Sequence, residues 1–594
     1  MTRSAAPVTT NYTLNRGEQQ QETAAIGTAL KRLAPLLSDE KRTVAMAFVA
    51  MLVSNTSGLL GPAIIGRTVD RYIQSGNFTG VLVSAAILLG VYLCGLLASY
   101  YQTLAMGTVG RTVLFKLRNA LFTKLQQLPL AFFNQNKAGD LISRINNDTD
   151  KLNQFFSQAL VQLSGNLFMM TGAGIFLLAL NVRLGIAALL PAAGVLVFTQ
   201  LISGWVKRKN LKSLQSLGGM SAEIQESLAN FKVIVAFNRL DYFREKFNEA
   251  NERNFAASIA GGVANNIFMP VYGLAFSAAQ LIVLSYGIVM IGAGELTVGL
   301  LIGFLLYVNS FYFPLRQLAM LWSSLQLALA ALDRISDVLA LESNMPVIPA
   351  AAERPAGLLE FDNVRFSYPG GKEVLRDVSF TLESGKTYAL VGPTGGGKTT
   401  TASLMARLYD PASGHVLLNG KDIRSYPPEE RTRTIGFILQ EPFLFTGTIR
   451  DNVLYGNEQY REYSDDRLIA LLNERNVGTL LSRFEQGLQT KVAAGGDAIS
   501  LGQKQLIAFM RAVLRDPEIL ILDEATANID TVTEQQLDQI LGKLPSSTTK
   551  VIIAHRLNTI ANADEIFFIN SGEIIPAGSM EHALDMLLHG KRVS

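Results

Sequence analysis

The sequence predicts two parts in series: an α-helical membrane domain of six transmembrane helices with long cytosolic extensions, followed by an α/β P-loop domain with a helical subdomain. Three observations predict it. The 594 residues are 49% hydrophobic and only 17% charged, with a mean hydropathy of +0.24. That is too apolar for a wholly soluble chain and too long for one domain. Uncharged runs long enough to cross hydrocarbon recur up to about residue 315 and then stop. Residues Gly392-Pro393-Thr394-Gly395-Gly396-Gly397-Lys398-Thr399 form a complete P-loop between an apolar run, Tyr388–Val391, and a helix-compatible stretch.

The net charge of +3 predicts no nucleic-acid partner. The single cysteine, Cys94, allows no internal disulfide and is expected to be a packed small hydrophobe. Residues 1–40 are polar, with Glu18-Gln19-Gln20-Gln21-Glu22 where a signal peptide would be apolar. We expect a disordered polar tail over 1–25 and a short amphipathic helix near Ile26–Leu37 lying on the membrane surface.

The membrane domain is expected over 26–341. Val44–Gly66 is free of charge and would span about 35 Å as a helix. The other uncharged stretches are Gly80–Tyr101, the segment between Lys151 and Arg183, Gly185–Val206, Phe255–Gly294 and Leu296–Leu315. Six helices follow, at about 44–66, 80–101, 155–181, 185–206, 261–292 and 296–320. The link Asn181-Val182-Arg183 implies a tight hairpin. The connection between helices two and three carries Arg111, Lys116, Arg118, Lys124, Lys137, Arg144 and Lys151. The connection between four and five is equally basic, whereas the alternate ones hold only Arg67, Arg71 and Arg183. The positive-inside rule puts both long connections and both termini in the cytosol. Val113, Leu117, Leu121, Leu125 and Leu128 keep a helical period through the first connection, so the helices should continue beyond the bilayer. Polar residues within the spans, such as Ser54–Ser57, Gln280 and Asn309, either line a cavity or hydrogen-bond between helices. Tyr307, Phe311 and Tyr312 are candidates to line an uncharged cavity for hydrophobic cargo.

Residues 342–357 contain Pro346, Pro349 and Pro355 and read as a linker. From 358 to 594, β-branched runs alternate with helical patterns, as in a largely parallel sheet, with a helical insert near Ser464–Gln486. In the P-loop, Gly392 and Thr394–Gly397 offer backbone N–H groups to phosphate at a helix start. Lys398 would reach the β/γ-phosphates, Thr399 would bind Mg²⁺, and Thr400 follows in the same turn. Ile519–Leu522 is apolar on both faces, as a central parallel strand must be, and Asp523 and Glu524 follow at its carboxyl end. Asp523 suits Mg²⁺; Glu524 suits polarising the water that attacks the γ-phosphate. Gln440 and His555 follow two further apolar strands. Gln440 would ligate Mg²⁺ or orient water, and His555 would stabilise charge on the γ-phosphate. Tyr368 is placed to stack on adenine.

The ordered set of P-loop, Gln440, Ile499-Ser500-Leu501-Gly502-Gln503, Asp523-Glu524, Ala527-Asn528-Ile529-Asp530 and His555 resembles an ABC transporter. Leu128–Phe133 and Gly139–Arg144 are similar to the first intracellular loop of exporters with six helices per half. The resemblance implies an exporter-type half-transporter in a bacterial plasma membrane, pairing with a second half-transporter. ATP would lie between one subunit's P-loop and the other's Ser500, Gly502 and Gln503, with Asp530 also at the site. Turns near Asn134–Gly139 and Leu228–Val235 would serve as coupling contacts. Leu501 stands where the family has glycine, and Ala494 where exporters often carry glutamate. Ala494 weakens the expected cross-talk to the partner's intracellular loop, whereas Lys504–Phe509 together with Ala525–Asp530 look more like one half of a heterodimeric multidrug exporter than a homodimeric lipid flippase. The implied activity is ATP-driven export of an amphipathic or hydrophobic drug or lipid. The alternatives are a homodimeric lipid flippase and an ATP-gated channel that hydrolyses poorly.

Overall fold

Apolar length and helical period dominate the first part of the computed structural model, which describes residues 12–14, 34–349, 357–493, 499–523, 531–553, 562–578 and 580–589. Among them are six helices long and apolar enough to cross a membrane. The main ones are α1 (Lys41–Thr68), α2 (Phe78–Gln126), α3 (Leu160–Leu180), α4 (Val182–Ala229), α5 (Leu240–Asn266), α6 (Phe268–Gly292) and α7 (Val298–Leu339). Helices α5 and α6 are separated only by Ile267 and together form one of the six spans. The 49 residues of α2 extend roughly 70 Å at the helical rise, more than twice the hydrocarbon thickness. The excess reaches beyond the hydrocarbon. Val113, Leu117, Leu121 and Leu125 on α2, and Leu128 just after it, are all buried, as their spacing requires. A single residue, Asn181, joins α3 to α4, and its side chain accepts the Leu184 N–H to cap α4.

Within this helical unit, polar anchors tie the helices together at both ends of α7. Asp70 follows α1 and accepts the Gly299 N–H (2.7 Å) and the Thr297 hydroxyl at the start of α7. Buried Asp148 accepts from Arg334 near the other end of α7 (2.8 Å) and from Lys151 (3.3 Å). Arg144 donates to the Arg334 carbonyl (2.8 Å) and to Asp140 (3.1 Å). Asp148 and Arg144 lie in a π-helical turn, Arg144–Asp148, which aims both at α7.

Two expectations change here. Cys94 is exposed, because its apolar run faces outward from the helix rather than into a core. The same face of α2 exposes Leu82, Ile87, Leu93 and Leu97, which suits hydrocarbon and not water. Tyr307 and Tyr312 are buried packing residues, not cavity lining. Their hydroxyls donate to the Leu59 (2.8 Å) and Ala188 (2.9 Å) carbonyls, because a phenol out of water needs an acceptor. Ser57 likewise donates back to Val53 (2.9 Å). Ser54 and Ser57, with Tyr92 and Ser99, also line an open groove between α1 and α2. The amphipathic helix expected near Ile26–Leu37 lies outside the described residues up to position 33; Ala34–Glu40 is a 3₁₀ segment. Of the tail expected over 1–25, only 12–14 are described.

The second unit contains residues 341 onward together with 126–138 and the described 12–14. It has twelve described strands. An antiparallel sheet is ordered β2 (Glu373–Leu382), β1 (Leu359–Ser367), β4 (Ser413–Leu418), β5 (Lys421–Asp422). The larger sheet is ordered β12 (Glu573–Pro576), β11 (Glu565–Asn570), β3 (Thr387–Val391), β10 (Thr549–Ile553), β9 (Ile519–Asp523), β6 (Ile435–Ile438). All its pairs are parallel except β11 with β12. Every residue of β9 is buried, as its two-sided apolar sequence demands. The short strands β7 (Gly447–Thr448) and β8 (Lys491–Val492) pair beside the helical insert. There α9 (Asp465–Glu474), capped by Ser464, buries Leu468 and Leu472 in one cluster with Leu480 and Phe509.

Candidate functional site

Parallel pairing brings the chemistry to one edge. Ile438 is in register with Leu522, Asp523 with Ile553, and Ile553 with Leu390. The P-loop after β3, Asp523 at the end of β9 and Gln440 beyond β6 therefore leave the sheet at the same side. This is the carboxyl end, where ligands collect in open parallel sheets.

The P-loop leads into α8 (Lys398–Met405), capped by Gly397 at φ 118°. A β-carbon at Gly392, at φ 145°, would collide with the Ile569 carbonyl oxygen of β11. Only glycine lets the loop lie this close to the sheet. Lys398 is buried, and its Nζ donates to the Gly392 (2.7 Å) and Pro393 (3.1 Å) carbonyls. It thus spans the concavity where phosphate oxygens would replace those carbonyls. Thr394, Gly395 and Thr399 lie at the exposed rim; Gly396 and Thr400 are buried. The Thr399 hydroxyl donates to buried Asp523 (3.4 Å). A hydroxyl and a carboxylate side by side form an oxygen donor set suited to Mg²⁺ when phosphates complete it. Gln440 is exposed, just past β6.

Tyr368 follows β1. Its hydroxyl is 3.0 Å from that of Thr400, and its ring meets Tyr409 edge-on at 5.2 Å. Tyr409 in turn accepts a 2.7 Å hydrogen bond from Asn134 Nδ2. Burial pushes the Tyr409 phenol above its ordinary pKa, against the pull of the Asn134 hydrogen bond. It therefore stays protonated. Asn134 belongs to the short helix Leu130–Gln135, within the expected coupling turn. The second expected turn is also helical, at Phe231–Ala236.

Ser500 caps α10 (Leu501–Val513). It accepts the Gln503 N–H (3.2 Å), while Gln503 Oε1 accepts the Ser500 N–H (3.1 Å). This reciprocal box holds the helix start rigid, with Gly502 in its first turn. Gln503 Nε2 is engaged by the Arg483 carbonyl (3.0 Å). Glu524, Asp530, His555 and Ala494 lie outside the described residues. No periodic pattern in the sequence links Asn134 to Tyr409, which stand 275 positions apart.

A P-loop at the head of a parallel sheet, fused to six apolar helices, defines a nucleotide-driven membrane transporter. A family model of the ABC transporter transmembrane region matches residues 44–315, and one of the ABC transporter domain matches 375–527. The chain is 32% identical over 93% of its length, and 92% of the relative's, to the uncharacterised ABC transporter ATP-binding protein YfiC of Bacillus subtilis. It is 32% identical, covering 85% of this chain and 80% of the other, to a fatty acid ABC transporter ATP-binding/permease protein of Mycobacterium bovis. A probable multidrug resistance ABC transporter ATP-binding/permease protein of Bacillus subtilis, YheH, is 31% identical over 85% of this chain and 75% of its own. The chain belongs to the ABC transporter family: it is an exporter-type half-transporter, a multi-pass membrane protein whose ATPase activity is coupled to transport.

Proposed function

We propose that the protein exports an amphipathic or hydrophobic compound, a drug or a lipid, by alternating access, with ATP held between two nucleotide-binding domains. One observation carries this reading: Asn134 of the coupling turn is bonded to Tyr409, which contacts Tyr368 at the nucleotide pocket. Nucleotide occupancy and the turn that follows α2 thus share one set of side chains. A nucleotide pocket with no such link would have no means of moving helices.

In this scheme Gly392, Thr394–Gly397, Lys398, Thr399 and Thr400 grip the triphosphate of one subunit, and Tyr368 stacks on the base. Ser500, Gly502 and Gln503 of the same chain complete the partner's site from a helix start that favours anions. Asp530 is expected to contribute to nucleotide binding. Thr399, Asp523 and Gln440 would hold Mg²⁺, which supplies charge neutralisation between the phosphates. Glu524 polarises the attacking water, and His555 stabilises the charge that develops on the γ-phosphate. Hydrolysis releases the two domains, and the cavity re-orients. The domains are 26–341 for the membrane part, 342–357 for the linker and 358–594 for the ATPase. The likeness of Lys504–Phe509 and Ala525–Asp530 to one half of heterodimeric exporters favours a heterodimer in which this chain supplies the competent acid. The setting is a bacterial inner membrane with both termini cytoplasmic.

The cargo is apolar because the spans carry few charges and relatives are named for multidrug and fatty acid transport. Inside-out vesicles from cells expressing the transporter test this. ATP should drive accumulation of a hydrophobic cationic dye or of a fluorescent fatty acid, and Glu524→Gln should abolish it. Flip of labelled phospholipid with neither of these would favour the flippase; ATP-gated ion conductance without accumulation would favour the channel.

A further inference from the structure

Tyr12 is among the largest fully buried side chains, at 1% exposure, yet it belongs to neither sheet nor helix. Its hydroxyl donates to the Glu342 carbonyl (3.0 Å) and accepts the Asn344 N–H (2.9 Å). Its ring packs edge-on against Phe132 (6.4 Å). Its backbone is read as closely as its ring. Gln135 Oε1 accepts the Tyr12 N–H (2.8 Å). The Asn136 amide donates to the Tyr12 carbonyl (3.0 Å) and accepts the Leu14 N–H (3.0 Å), as a neighbouring strand would.

These partners come from two places. Phe132 lies in the short helix Leu130–Gln135, and Gln135 and Asn136 lie in the expected coupling turn; Glu342 and Asn344 lie in the segment that leads from α7 to β1. The chain therefore passes between helical unit and nucleotide domain at one partner site and folds back against that domain at the other. The Tyr12 phenol and the three-residue segment that carries it fasten both. Nothing in catalysis at the P-loop requires such a clasp.

We propose that the segment Tyr12–Leu14 is a strap for energy coupling and that Tyr12 is a positioning residue. It locks the coupling turn to the interdomain segment, so that the two move together when nucleotide binds. Loose, the turn would yield while ATP is split, and hydrolysis would lose its dependence on the state of the helices. The inference rests on the ATPase-coupled activity but not on the cargo or its direction.

The test uses the assembled transporter with Tyr12→Ala, Tyr12→Phe and Asn136→Ala. Tyr12→Phe keeps the ring and loses the hydroxyl that bonds Glu342 and Asn344, so it remains informative where Tyr12→Ala fails to fold. Two quantities are read. The first is amide hydrogen exchange over 129–136, with 398–405 as internal control. The second is the ratio of ATPase kcat in phosphatidylethanolamine/phosphatidylglycerol vesicles to that in detergent, with KM for ATP. Exchange over 129–136 should rise about tenfold in Tyr12→Ala and Asn136→Ala and less in Tyr12→Phe, with 398–405 unchanged. The vesicle-to-detergent ratio should fall toward one while KM stays within about twofold, a split that loss of stability alone would not produce. Unchanged exchange over 129–136 overturns the strap. So does faster exchange with the wild-type ratio retained, which makes the contact structural only. A wild type that hydrolyses no ATP would instead overturn the transport reading, and the exchange measurement would still decide whether the strap holds the turn.

Discussion

The hydroxyl of Tyr368 rests 3.0 Å from that of Thr400, so the residue expected to hold the base is tied to the helix that receives the phosphates. Its ring is set by edge-on contacts with Phe366 (4.9 Å) and Tyr409 (5.2 Å). A ring held in place loses little entropy when a base stacks on it. Stacking of a base on an aromatic side chain is worth about 1–3 kcal/mol. Tyr368→Ala should therefore weaken nucleotide roughly tenfold, and Tyr368→Phe should stay within about twofold because the ring remains. Titration with a fluorescent ATP analogue checks both. Equal losses in the two variants would show that the hydroxyl, not the face, is what matters.

Gly392 makes a sharper prediction. It sits at φ 145° with the Ile569 carbonyl where a β-carbon would go. Gly392→Ala meets both the backbone strain and backbone atoms that cannot swing aside. It should destabilise the nucleotide domain by about 2–4 kcal/mol and abolish ATP-dependent thermal stabilisation. Gly218→Ala is the control, since a β-carbon there meets nothing within 4 Å. Thermal unfolding of the purified protein with and without ATP reads the contrast.

The legible parts of the chain were those where one physical constraint acts on neighbouring residues. Uncharged runs marked the spans because hydrocarbon tolerates nothing else over that length. The spacing of Val113, Leu117, Leu121 and Leu125 marked the extension of α2 because one face must be buried. The P-loop glycines were legible because their backbone angles exclude side chains. Illegible were contacts between distant segments. Tyr12 stands in a polar stretch, and its partners are Gln135, Asn136, Glu342 and Asn344. No periodicity records a pairing across that separation. The sequence marks the aromatic residues of α7 as apolar but does not tell cavity lining from the packing that buries Tyr307 and Tyr312. Composition does not say which face of a helix meets its neighbours, nor that a buried phenol will choose a carbonyl.

Asp422 supplies a pH dependence with a defined sign. Burial works to raise its pKa. Hydrogen bonds from the Arg424 guanidinium (2.7 Å), His415 (2.8 Å) and the Arg424 N–H (2.9 Å) outweigh burial and hold it below the ordinary carboxylate value. A depressed folded-state pKa stabilises the protein above the unfolded value, about 3.9. That stability is lost as pH falls through the lower folded value. Asp422→Asn should cost about 1–2 kcal/mol at pH 7, and the gap to wild type should close below about pH 3.9 and not before. Denaturant unfolding at pH 7, 5 and 3 tests it. A gap that closed between pH 7 and 5 would mean that the titrating group is another.

Tyr307 separates packing from cargo recognition within the spans. Its ring stacks on Phe176 at 5.0 Å and 7°, and its hydroxyl donates to the Leu59 carbonyl on α1. If its role is packing, Tyr307→Phe loses only an interhelical hydrogen bond, about 0.6 kcal/mol in a membrane. Tyr307→Ala opens a cavity among α1, α3 and α7 and costs about 3–5 kcal/mol. Transport selectivity between a cationic dye and a fatty acid should then be the same in Tyr307→Phe and wild type, while thermal stability in detergent falls steeply only in Tyr307→Ala. A cargo-contacting phenol would give the reverse: Tyr307→Phe as stable as wild type but altered in which compound stimulates ATP hydrolysis. The buried hydroxyl already has its acceptor, so the first outcome is the one expected.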